Sequence, residues 1–109
     1  MKKIYYLKTC DTCRRILKEM DTTGFILQEL KTQPITGKQL DELFKLTKSY
    51  EVLFSKMAKK YKLMDLKNQR LTENHYRQLI LDEYTFLKRP IIIIDTEVFI
   101  RNTKKVNKN

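Results

Sequence analysis

Cysteine is nearly absent: the 109-residue chain has two, Cys10 and Cys13. Two cysteines cannot build the multi-bridge scaffold of a small secreted domain, so a reducing compartment is expected. Histidine is scarcer still. With His75 alone and no second cysteine pair, a four-ligand structural zinc site cannot be assembled, and no metal is expected. Long apolar runs are missing too. None approaches the roughly 20 residues that span a bilayer. The run behind Met1-Lys2-Lys3, from Ile4 to Leu7, is too short for a secretory h-region. These absences predict a cytoplasmic protein with no membrane partner. Acidic residues are in deficit, with 13 Asp+Glu against 23 Lys+Arg, a formal net charge of +10. Such an excess concentrates anions and acidic partners around the chain. Its lysines (Lys38, Lys45, Lys48, Lys56, Lys59, Lys60 and Lys62 among them) are scattered along amphipathic stretches. That pattern reads as a solvated face, and no sequence-specific nucleic-acid contact is expected. The length fits a single domain over 1–109, and 41% hydrophobic residues suffice for a core.

What the chain does have is a C-x-x-C at a strand-to-helix turn, in Lys3-Ile4-Tyr5-Tyr6-Leu7-Lys8-Thr9-Cys10-Asp11-Thr12-Cys13-Arg14-Arg15. A thiolate at a helix N-terminus faces unpaired N–H groups and the positive end of the macrodipole. Both hold its pKa below the free value of about 8.5. Arg14 and Arg15 add positive potential. A second sulfur one turn away can resolve an adduct on the first as a disulfide. Free cysteine is often inert core, but Asp11 and Thr12 between the pair belong at a surface turn, which favours a reactive site.

The periodicity gives an order of elements. Lys3 to Leu7 reads as a strand, Arg14 to Met20 as a helix capped by Asp11 or Thr12, and Phe25 to Leu30 as a second strand parallel to the first. Gly24 suits the left-handed position after the helix. Thr36 with Gln39 predicts a capping box ahead of Leu40, Leu43, Phe44 and Leu46. Tyr50 to Lys62 reads as further helix, and Thr72 as the cap of a helix to about Tyr84. Ile91-Ile92-Ile93-Ile94 is a buried strand, turning through Asp95-Thr96-Glu97 into Val98-Phe99-Ile100. His75 falls in a polar first turn and reads as a surface residue. The tyrosines and phenylalanines follow core periodicity. From about Asn102 the chain is polar and reads as a frayed tail. The predicted fold is therefore α/β and thioredoxin-like: β-α-β, a helical insertion, a helix and a ββ hairpin. It gives a four-stranded mixed sheet with flanking helices.

Two segments, Tyr6-Leu7-Lys8-Thr9-Cys10-Asp11-Thr12-Cys13-Arg14 and Leu87-Lys88-Arg89-Pro90-Ile91-Ile92-Ile93-Ile94, together resemble the thioredoxin-fold arsenate reductase family, which also contains the Spx-type redox regulators. The likeness runs from about residue 3 to about residue 101. It implies that Cys10 is the nucleophile, that Arg89 and Arg101 belong to a cage of three oxyanion-binding arginines, and that Pro90 is a cis proline beside the reactive turn. Arg14 would add charge near the anion. The third cage position falls near Phe54-Ser55-Lys56-Met57, where Lys56 is the match. Lysine supplies charge without the planar fork of arginine. Cys13 stands where glutathione-linked reductases usually have serine, and a cysteine there marks the Spx type. The Spx polymerase contact uses a glycine in the inserted loop, yet Leu46 to Ser55 has none, the two glycines being Gly24 and Gly37.

Two functions are thus expected. One is a thiol-dependent oxidoreductase acting on a small oxyanion or a disulfide. It needs no bound cofactor and is served by an external thiol (glutathione with glutaredoxin, or thioredoxin). The other is a redox-switch regulator that binds RNA polymerase when Cys10 and Cys13 are joined.

Overall fold

Strand β1 (Lys2–Tyr6) pairs parallel with β2 (Ile26–Glu29) on one side and antiparallel with β3 (Ile91–Ile94) on the other. β4 (Glu97–Ile100) returns antiparallel to β3. The order β2-β1-β3-β4 is the four-stranded mixed sheet expected of a thioredoxin-like fold, and a two-residue β5 (Lys104–Lys105) extends it beyond β4. The structure, a computed structural model, describes residues 1–101 and 104–106. Of the tail expected to fray from about Asn102, residues 102, 103 and 107–109 lie outside those described, and Lys104–Lys105 are paired. The chain divides into two compact units: Met1–Pro34 together with the chain from Arg89 onward, and Ile35–Lys88.

In the first unit, Ile4 and Ile92 are register partners and so share a sheet face. Helix α1 (Asp11–Glu19) lays Ile16 against them, with Tyr6, Leu17, Met20, Phe25, Ile94 and Phe99 around this cluster. The helix starts three residues before the expected Arg14, and its N-cap is Cys10 rather than Asp11 or Thr12. The reason is the turn before it: the Cys10 N–H donates to the Leu7 carbonyl at 3.1 Å. That bond puts Asp11 in the first turn, where a carboxylate favours the helix dipole. The helix ends earlier as well, with Met20 extended at its C-cap. Gly24 takes φ +84, but it does so in the turn feeding β2 and not as the helix cap.

The second unit opens on α2 (Gly37–Thr47), with the Thr36/Gln39 capping box complete. The expected helix from Tyr50 to Lys62 is broken. A 3-10 turn (Glu51–Leu53), an extended Phe54 and a short α3 (Lys59–Leu63) replace it. Tertiary bonding overrides the local periodicity here. The Ser55 N–H donates to the Phe86 carbonyl at 2.6 Å and the Lys88 N–H to the Leu53 carbonyl at 2.8 Å. Phe54 is thereby held in a bridge to Leu87, its ring stacked on Phe86 at 4.9 Å and edge-on to Tyr76 at 4.9 Å. A second 3-10 turn (Leu66–Asn68) leads to α4 (Glu73–Asp82), capped by Thr72 as expected and ending two residues before Tyr84. His75 closes that capping box by accepting the Thr72 N–H at Nδ1, a role its surface position did not announce.

Candidate active site

The register fixes which side chains meet. Tyr5 pairs with Ile91, and Ile91 with Ile100. The residues just after β1, just before β3 and just after β4 therefore share one end of the sheet. They are the Cys10 turn, Arg89-Pro90 and Arg101. The Arg89–Pro90 bond is cis, and the Pro90 carbonyl accepts the Arg101 N–H at 2.9 Å. Arg101 itself takes a left-handed φ of 48, which ends β4 abruptly and turns the chain.

Cys10 is half-buried and Cys13 fully buried, and both are free thiols. As N-cap, Cys10 has an extended backbone. Burial raises its pKa, and this is the largest single influence. The Cys13 backbone N–H, the Cys13 thiol, the Arg89 guanidinium and the Thr12 N–H all act the other way, and together they hold Cys10 below the ordinary thiol value. Cys13 is the reverse case. Burial pushes it up to about 12, helped by the charge on Cys10, although the Leu7 N–H approaches its sulfur at 3.5 Å. Burial lowers the pKa of Arg101, as does the neighbouring Arg89 cation, while the two cysteines favour its charge. The charge of Arg89 thus acts on the Cys10 sulfur, and that of Cys10 on Arg101.

The turn carrying Cys10 has a strut from β2. The Glu29 carboxylate accepts the Lys8 N–H at 2.9 Å, the Lys31 N–H at 3.0 Å, and the Thr32 N–H and hydroxyl at 2.9 and 3.2 Å. It ties the residues before Cys10 to the end of a neighbouring strand. No pattern in the sequence marked it, since its partners are mostly backbone groups.

Arg14 is exposed and ion-paired with Asp11, so it screens that carboxylate at the helix start. Lys56 belongs to the second unit, where its ammonium pairs with Glu51 at 3.2 Å. Among the described residues no group of three or more His, Cys, Asp or Glu has the arrangement of a metal site. No helix there is long and apolar enough to cross a membrane.

The geometry of a half-exposed thiol at a helix N-cap, beside a cis proline and two arginines, meets independent support in the sequence. The ArsC family model matches residues 5–108. The chain belongs to the ArsC family. No curated protein matches this ArsC chain. Its fold is similar to that of a Yersinia pestis protein, with 21% identity, 92% of this chain and 91% of that chain covered, and a TM-score of 0.76. It is also similar to an arsenate reductase from Vibrio cholerae (19% identity, 89% and 86% covered, TM-score 0.71). An arsenate reductase (ArsC) related protein from Brucella melitensis is a third (22% identity, 91% and 84% covered, TM-score 0.69). Likeness at these identities carries the fold. Within it, the ArsC chain's Cys10, Cys13, Arg89, Pro90 and Arg101 fall in one unit with their neighbours defined, and Lys56 falls in the other.

Proposed function

We propose that this ArsC-family chain is a cytoplasmic thiol-dependent reductase with Cys10 as nucleophile and a small oxyanion, arsenate in the first instance, as substrate. One observation carries the reading: a Cys10 thiol kept below its ordinary pKa at the start of α1, with Arg89 beside it. The thiolate attacks arsenic and displaces a hydroxyl, which leaves with a proton as water. Arg89 and Arg101 balance the charge on the remaining oxygens. A second thiol then attacks the Cys10 sulfur. A disulfide forms, the sulfur–arsenic bond breaks with its electron pair staying on arsenic, and arsenite departs. Glutathione is the second thiol in this reading, since Cys13 at about 12 offers almost no thiolate near neutrality. Glutaredoxin or thioredoxin then reduces the disulfide, and no bound cofactor is needed.

The test is a coupled assay with arsenate, glutathione, glutaredoxin and NADPH. Cys10→Ser is expected to abolish turnover, and Arg89→Ala to lower kcat/KM by roughly 10²-fold. Turnover indifferent to either change overturns the reading.

The Cys13 thiol helps to hold the Cys10 pKa down, and this closeness of the two sulfurs supports a second reading. A strong oxidant would join the pair, and the altered turn would change affinity for a partner such as RNA polymerase. Equal retention of polymerase by oxidised and reduced protein removes it.

A further inference from the structure

The second unit carries a surface that the thiol chemistry leaves unused. Residues 56–70 hold six basic side chains and one acidic, Asp65. Lys56 and Lys60 are spent on Glu51 and Glu83, at 3.2 and 2.6 Å. Lys59, Lys62, Lys67 and Arg70 have no ion pair among the described residues. The acidic groups nearby are turned to neutral partners: Asp65 accepts from the Asn68 amide at 2.7 Å and Asp82 from the Gln78 amide at 2.8 Å.

Apolar side chains accompany this charge. Leu63 is 81% exposed and Met64 45%, well beyond what an ordinary core helix shows to water. Met64 lies at one end of a groove of about 270 Å³ between the Leu66–Asn68 turn and α4. Leu66, Leu71 and Leu79 supply its apolar lining, and Arg70 and His75 its polar edge. His75 spends Nδ1 on the cap of α4, which leaves Nε2 as its donor. Pockets that enclose a whole small molecule run to about 300–1,000 Å³. A smaller groove suits an anchor side chain carried by a longer chain.

We propose that this groove docks an acidic segment of a partner protein that inserts aliphatic anchors along α4. Charge complementarity selects the occupant. Arg70 at the groove's edge, together with Lys59, Lys62 and Lys67 on the chain just before it, favours carboxylates flanking leucine-like side chains. A second copy of this chain would bring a like patch and its own +10 charge, so self-association there is opposed. A lipid surface would meet the exposed Leu63 and Met64 and leave the recessed Leu66, Leu71 and Leu79 without a partner.

The probe is a pair of synthetic helical peptides of roughly 16 residues with leucines at i, i+3, i+4 and i+7. One has glutamate at the polar positions and the other lysine. Each is titrated into the ¹⁵N-labelled full chain, beside vesicles of phosphatidylserine and phosphatidylcholine. The glutamate peptide is expected to move amides within residues 63–79 saturably. Its affinity should fall about tenfold between about 50 mM and about 300 mM salt. The lysine peptide should not bind. Lys62→Glu with Arg70→Glu, both at exposed positions, should weaken the glutamate peptide about tenfold while Cys10 alkylation is unchanged. Absence of saturable shifts, equal binding of both peptides, shifts confined to other residues, or a preference for vesicles overturns the proposal. Loss of arsenate turnover leaves it standing, because the two readings rest on different residues.

Discussion

At Cys10 and Cys13 the same side chain meets two environments within one helical turn. Cys10 has backbone N–H groups and the Arg89 cation; Cys13 has burial and the charge of its neighbour. Alkylation by iodoacetamide across pH should therefore show a single reactive thiol, with a midpoint below that of a free cysteine. Arg89→Ala should move that midpoint upward, because the cation stabilises only the ionised form. If an external thiol does the resolving, as proposed, Cys13→Ser should keep glutathione-dependent turnover within a few-fold. A loss of roughly 10²-fold would instead make Cys13 the resolving group. Glu29 is the third residue to test, as a positioning residue. Charge-assisted bonds to N–H groups are each worth about 1.5–3 kcal/mol when well shielded. Glu29 is half-buried, so Glu29→Ala should cost about 1–2 kcal/mol in urea unfolding. It should also speed exchange at the Lys8 amide and raise the Cys10 midpoint, with Glu29→Gln restoring part of each. A stability loss with an unmoved midpoint would reduce Glu29 to a structural tie.

Between elements, the clearest link in the second unit joins α2 to α4. Arg77 donates Nε to Asp41 Oδ1 at 2.8 Å and Nη2 to Oδ2 at 3.1 Å, and the Tyr50 hydroxyl donates to Oδ1 at 2.6 Å. The Arg77 hydrogen bond, then that of Tyr50, brings Asp41 down to about 2. A depressed carboxylate pKa contributes stability that is whole above the unfolded value of about 3.9 and disappears as pH falls through the folded value. Asp41→Asn should thus be less stable than the parent at pH 7, with the gap closing between about pH 4 and about pH 2. Urea midpoints at those pH values check it, and a gap constant with pH would deny the pair its role. Asp41 sits on α2 as an ordinary polar position, and nothing local names Arg77 as its partner. That contrast recurs along the chain. The box at Thr36 and Gln39, the cap at Thr72 and the four isoleucines of β3 were legible because their signals are local in sequence. The helix expected from Tyr50 to Lys62 failed because residues 86–88 claim the backbone at 53–55. The N-cap moved to Cys10 because the Leu7 carbonyl closes the turn one residue earlier. Cys10, Arg89 and Arg101 were singled out from motif and resemblance, and the strand register brings them to one end of the sheet, while Glu29 and His75 act mostly through main-chain partners that no motif records.

The charge of the molecule as a whole acts on every encounter before any local contact forms. A net +10 attracts anions over distances that salt sets, about 10 Å at 0.1 M ionic strength. Two disulfide reagents with leaving thiols of equal pKa, one dianionic and one neutral, separate this effect from the reactivity of the sulfur. At about 0.01 M ionic strength Cys10 should attack the anionic reagent on the order of tenfold faster than the neutral one, and the advantage should collapse by about 0.3 M. Local and global charge then part company in the Arg89→Ala, Arg101→Ala double variant. The advantage left at low salt measures the remaining lysines, and the advantage lost measures the two guanidiniums at the site. If the double variant shows no preference for the anion at any salt, the scattered lysines contribute nothing to capture, and selectivity resides wholly in the pair that faces the thiolate.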